Sequence, residues 1–169
     1  MKTLVVHPKD KTTDYLSDIY SDKKDWTVIN QEVSFSDLSH YIGANDRIVM
    51  LGHGCSRGMF GYGGFVIDRQ VAPLLWQKEC VGIWCYADGF FKEHNLKGLY
   101  TGMIISEYAE AVLYLENFST NHVGHSNRLF AKAFRQHIDE KRILEKVLAE
   151  YVDGENPIIE FNRKNIFVI

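Results

Sequence analysis

Residues 47–54 read Arg-Ile-Val-Met-Leu-Gly-His-Gly, and residues 80–85 read Cys-Val-Gly-Ile-Trp-Cys. Each is a short apolar run that stops on a reactive side chain, His53 in the first and Cys85 in the second. Apolar runs without polar alternation are the pattern of parallel strands buried on both faces. Open α/β sheets carry their chemistry at the carboxyl ends of such strands. If these two strands are neighbours, an imidazole and a thiol face one another across one edge of the sheet. That is the minimum equipment for a cysteine nucleophile.

Working outward, Lys2–His7 is a β-rich run closed by Pro8, and Trp26–Val33 alternates its apolar residues as a second strand. Tyr15, Leu16, Ile19 and Tyr20 repeat at helical spacing between them, and Leu38, Tyr41 and Ile42 predict a short helix ending at Gly43. Residues 54–64 hold five of the 13 glycines, with aromatics between them, and read as a small hairpin over the strand end. Val71–Glu79 reads as a helix with Pro73 in its first turn. Gly98–Ile105 is a further strand, and Ser106 caps a helix running to about Asn117. Two amphipathic helices follow, around Leu129–Ile138 and Ile143–Tyr151, and then two short strands, Ile158–Phe161 and Ile166–Ile169, across a polar turn. The alternation predicts a single α/β domain over residues 1–169. Its architecture would be a three-layer, mostly parallel doubly wound sheet with a short C-terminal strand pair.

Composition narrows the function classes. A net charge of −3 gives no electrostatic footprint for nucleic acid. No apolar run approaches the roughly 20 residues a membrane span needs, and the start, Met-Lys-Thr-Leu-Val-Val-His-Pro, reads as a first strand and not as a signal peptide. Three cysteines, Cys55, Cys80 and Cys85, lack framework spacing and predict free thiols in a reducing, cytoplasmic compartment.

Cysteine chemistry needs a thiolate, which a neighbouring imidazole supplies by taking the proton, and donors for the oxyanion that develops at the attacked carbonyl. Gly54, without a Cβ, lets its backbone N–H approach a substrate, and the N–H of Cys85 is a second donor. Gly89, four residues on, would let the chain turn away and leave the thiol accessible. The bland alternative is a structural His at a strand end and a core Cys. A metal pair of His53 and Cys55 with Cys85 or His94, a redox pair of Cys55 and Cys85, and His122 with His125 all lack recognisable spacing. The glycine-rich Gly58–Gly64 segment is neither a Walker A loop nor a dinucleotide fingerprint. No metal and no cofactor are expected.

The order strand–His53–Gly54, glycine-rich hairpin, helix, strand–Cys85 resembles the caspase-like cysteine peptidases: caspases, metacaspases, legumain, gingipain, clostripain and separase. The resemblance covers roughly residues 2–117. It implies caspase-like topology, with Cys85 as nucleophile, His53 as base and Gly54 in the oxyanion hole. Trp84 departs from the small residue such enzymes carry before the cysteine, and a bulky ring there would narrow or reshape the pocket. The chain also lacks a long loop for activating cleavage. Asp68, Asp88 and Glu107 near the active edge, against Arg57 and Arg69, favour a basic P1 residue, although Asp68 also suits a cap at Val71 and Glu107 a helix N-terminus. The expected function is a cysteine endopeptidase or related amide hydrolase acting on a peptide or protein substrate. It leaves room for an activating partner or a homodimer. The alternative is a catalytically silent caspase-like or Rossmann-like module that binds a protein or small ligand.

Overall fold

The computed structural model describes residues 1–169. Six strands form the main sheet: β1 (Thr3–Val6), β2 (Thr27–Ile29), β3 (Arg47–Leu51), β7 (Glu79–Ile83), β8 (Gly98–Thr101) and β9 (Ile166–Val168). Their order across the sheet is β2-β1-β3-β7-β8-β9, every pairing parallel except the last. Between β3 and β7 the chain makes a separate antiparallel sheet of β4 (Gly54–Cys55), β5 (Gly58–Gly61) and β6 (Gly64–Ile67).

Strand periodicity divides the interior in two. Leu4, Val6, Ile48, Met50, Cys80 and Tyr100 enter one core, while Val5, Val49, Leu51, Val81, Ile83 and Leu99, which alternate with them, enter the other. The first core is closed by α1 (Phe35–Gly43), α2 (Ala72–Leu75), α3 (Ala87–Glu93) and the small sheet, through Leu38, Leu75, Phe90, Phe91 and Met59. The second is closed by a 3-10 helix (Asp14–Tyr20), α5 (Thr120–His137) and α6 (Ile143–Glu150), through Leu16, Ile19, Phe130, Phe134 and Val147. The helix α4 (Tyr108–Tyr114) lies beyond β8, against a smaller cluster of Ile105, Ala111 and Val123. No helix is long and apolar enough to cross a membrane.

Several expected elements differ. The C-terminal strand pair is a single strand: Ile158–Phe161 lies inside a helix, α7 (Pro157–Arg163). Asn156 accepts from the N–H groups of Ile158 and Ile159, and Pro157 opens the first turn, a start signal that outweighs a four-residue apolar run. The helix expected over 71–79 is only α2, and the strand expected over 26–33 shrinks to β2. The strand expected to reach Ile105 stops at Thr101, and the following helix is capped by Glu107, not Ser106. Beyond Thr101 the N–H and C=O of Ile105 are satisfied instead by the buried side-chain amide of Asn162, at 2.8 and 2.9 Å.

Two buried polar side chains brace the sheet. Arg47 bonds Asp139 (2.6 Å), the carbonyl of Ile138 (2.9 Å) and the hydroxyl of Thr3 (3.2 Å), with Trp26 stacked on its guanidinium. His7, just past β1, bonds the Tyr20 hydroxyl through Nδ1 at 3.0 Å, while its Nε2 is buried without a partner. Burial holds the His7 pKa below the ordinary value. The fold therefore favours neutral His7: its contribution is present above about pH 6.5 and lost as pH falls through the depressed folded value. Denaturant midpoints at pH 7.5 and 5.5 test this. His7→Phe should show a smaller drop between the two pH values than the natural chain, and equal drops would contradict the assignment.

Candidate active site

The β3–β7 register decides what meets at the sheet edge. Leu51 lies beside Ile83, and the N–H of Gly52 continues the ladder to the carbonyl of Ile83 at 3.1 Å. Leu51 and Ile83 both face the second core, so two residues further on His53 and Cys85 fall at the same level and on the same face. Both line one narrow slot of about 20 Å³, with Tyr15, Ile104 and Ser106 among its other walls. That volume is on the order of a single water site.

The His53 imidazole is oriented from the loop after β1. Its Nε2 meets the hydroxyl of Thr12, which donates to Asp10; that carboxylate also takes the Thr12 N–H at 2.8 Å. Asp10 stands 3.7 Å from Nε2. Because the Thr12 hydroxyl proton goes to Asp10, its oxygen accepts from Nε2–H, which fixes the tautomer and leaves Nδ1 with a lone pair. The hydrogen bond from the Thr12 hydroxyl holds the Asp10 pKa below the usual carboxylate range. Sequence reading missed Asp10 and Thr12. Their signal was an Asp-Lys-Thr turn directly after the first strand, where an Asp side chain bonds the backbone two residues on.

Cys85 sits in a guarded position. Its Sγ donates to the Ile104 carbonyl at 3.4 Å and lies 3.9 Å from Glu110 Oε1. The other oxygen of Glu110 accepts from Ser106 N–H (2.8 Å), the Ser106 hydroxyl (3.2 Å) and Glu107 N–H (3.0 Å), as one half of the capping box of α4. Burial pushes the Cys85 thiol up to about 11, with the Glu110 and Glu107 carboxylates adding to the shift. Immediately after it, Tyr86 adopts left-handed backbone (φ 65°), an uncommon conformation for a bulky residue. Such strain concentrates at functional turns.

The remaining candidates occupy varied places. Trp84 points away from the slot into the first core, donating through Nε1 to the Cys55 carbonyl at 3.1 Å and packing on Phe90 and Phe91. Its ring explains Gly54: a Cβ there would come within 2.2 Å of the indole. Gly89 is inside α3, where a Cβ would strike Ser56 at 2.7 Å; the turn expected of it is made by Tyr86. Asp68 caps the start of the α2 turn, bonding the N–H of Gln70 at 2.8 Å, on the far side of the hairpin from His53. Asp88 pairs with Lys92 at 3.2 Å. Of the three acids, Glu107 is the one whose charge bears on Cys85, and its side chain also forms the capping box with Glu110. His122 lies inside α5, in the first turn, where its ring completes a capping box with Ser119. No three His, Cys, Asp or Glu side chains are grouped so as to hold a metal ion.

No family model matches this chain, and comparison with curated proteins gives no match. The site therefore rests on its own geometry. Glu110→Gln keeps a capping side chain while removing the charge beside Sγ. It should shift the pH midpoint of Cys85 alkylation by iodoacetamide below that of the natural chain, with burial still holding it above an ordinary thiol. An unmoved midpoint would show that the carboxylate has no influence on the thiol.

Proposed function

We propose that this protein is a cysteine hydrolase of caspase-like architecture, an endopeptidase or related amide hydrolase working through His53 and Cys85. The observation that carries the reading is that both line one narrow slot just past the paired ends of the adjacent parallel strands β3 and β7. The mostly parallel sheet and the glycine-rich small sheet directly after His53 support the reading.

Nδ1 of His53 takes the Sγ proton of Cys85, and the thiolate attacks the substrate carbonyl. The developing oxyanion is met by backbone N–H groups, that of Gly54 foremost. Phe60 N–H bonds the His53 carbonyl at 2.8 Å, so by antiparallel alternation the neighbouring Gly54–Met59 pair is not hydrogen-bonded and Gly54 N–H faces away from β5. His53 then protonates the leaving nitrogen as its bond to carbon breaks. Water, deprotonated by His53, hydrolyses the thioester and returns the thiol. Asp10, through Thr12, balances the imidazolium at each stage.

The high thiol pKa favours a second reading, a module that binds without turnover. A peptide-based chloromethyl ketone separates the two. At pH 7 the hydrolase reading requires labelling at Cys85 that falls by about 10²-fold or more in His53→Ala. Slow labelling, equal in both proteins, would leave the binding module.

A further inference from the structure

The largest well-formed cleft beside this site is not the slot at Cys85 but a cavity of about 390 Å³ on the other side of His53. Its walls are the loop after β1 and the β5–β6 hairpin, with Gly52 and His53 at its base. Thr13, Gly52 and His53 line both the cleft and the slot, so the two spaces share His53 as a common wall.

Strand order gives that position a chemical meaning. Cys85 follows β7 on one side of His53, and the cleft opens on the β1 side. When the C–N bond breaks, Cys85 keeps the acyl group as a thioester and His53 hands its proton to the leaving nitrogen. Whatever is attached to that nitrogen extends past His53, into the cleft.

The lining specifies what fits there. Phe60 and Phe65 are cross-strand partners with ring centroids 5.0 Å apart, yet 42% and 37% exposed. Tyr62, 40% exposed, stands at the hairpin tip with φ 55°, followed by Gly63 at φ 84°. A two-residue turn with both central φ values positive ordinarily takes Asn-Gly or Gly-Gly, so the chain bears backbone strain to place an aromatic ring at the rim. Asp10, the cleft's only acid, is engaged by Thr12, and Lys9 is the only lysine or arginine lining it. The volume falls near the low end for small-molecule sites, suited to one residue and not to a folded partner.

We propose that this cleft is the leaving-group subsite and selects an aromatic or large aliphatic residue immediately after the scissile bond, with Phe60, Tyr62 and Phe65 as the specificity residues. The proposal rests on the hydrolase reading for the direction of the substrate, but the binding preference is measurable without turnover.

The test is titration of the ¹⁵N-labelled natural protein with phenylalaninamide, leucinamide, glycinamide, lysinamide and aspartamide. Expected are shifts at the amides of Gly61, Gly63 and Gly64, with phenylalaninamide binding at least fivefold tighter than the glycine, lysine or aspartate amides. Tyr62→Gly, which relieves the turn strain and so preserves the hairpin, and Phe65→Ala should each weaken that binding fivefold or more. In parallel, peptides varied only after the scissile bond should show kcat/KM at least tenfold higher for Phe than for Asp. Equal binding of charged and aromatic amides, shifts away from the hairpin, or cleavage indifferent to that residue would overturn the proposal. Aromatic binding in the cleft with no acylation of Cys85 by any peptide would instead overturn the hydrolase reading, and with it the leaving-group assignment alone.

Discussion

Everything at the site depends on one backbone relation, the in-register parallel pairing of β3 with β7. Parallel strands run about 4.8 Å apart and alternate their side chains strictly. Matching Leu51 to Ile83 therefore sends His53 and Cys85 out on the same face at the same height. A slip of one residue would turn one of them into the opposite core. The register is held on both sides: Val49, Leu51, Val81 and Ile83 are buried under the 3-10 helix and α5, and Ile48, Met50, Cys80 and Trp84 under the small sheet and α3.

Two opposing electrostatic settings meet across the slot. His53 is tied back to the Asp10 carboxylate through the Thr12 hydroxyl. Cys85 is surrounded by apolar walls, a carbonyl and the Glu110 carboxylate, an arrangement that favours the neutral thiol. Cys85 therefore rests as the thiol, and in the proposed mechanism it gives its proton to His53 across the slot. Glu110 has a structural reason to be there, since its carboxylate closes the start of α4. Its effect on the thiol is a consequence of capping a helix beside a reactive group.

Most of the scaffold was legible in the sequence, because buried parallel strands and amphipathic helices carry their own periodicity. His53 and Cys85 stood out for ending apolar runs. What escaped was local or three-dimensional. Ile158–Phe161 looked like a strand because four residues cannot distinguish the two periods, while Asn156 and Pro157 carried the deciding helix start. Thr12 reaches His53 across 41 positions of sequence, bringing Asp10 with it, through a loop after β1, and no linear pattern announces that contact. Trp84 suggested a narrowed pocket, yet alternation along β7 places its ring in the opposite core, where Gly54 makes room for it.

The most direct test of the central claim is acid-quenched intact-mass spectrometry after mixing the protein with an activated ester of a blocked amino acid, followed by peptide mapping. Cysteine acyl transfer predicts a transient adduct of one acyl group per chain, located on Cys85 and cleared by water on continued incubation. Ester turnover with no acyl group ever found on Cys85, or no acylation at all, would contradict the account.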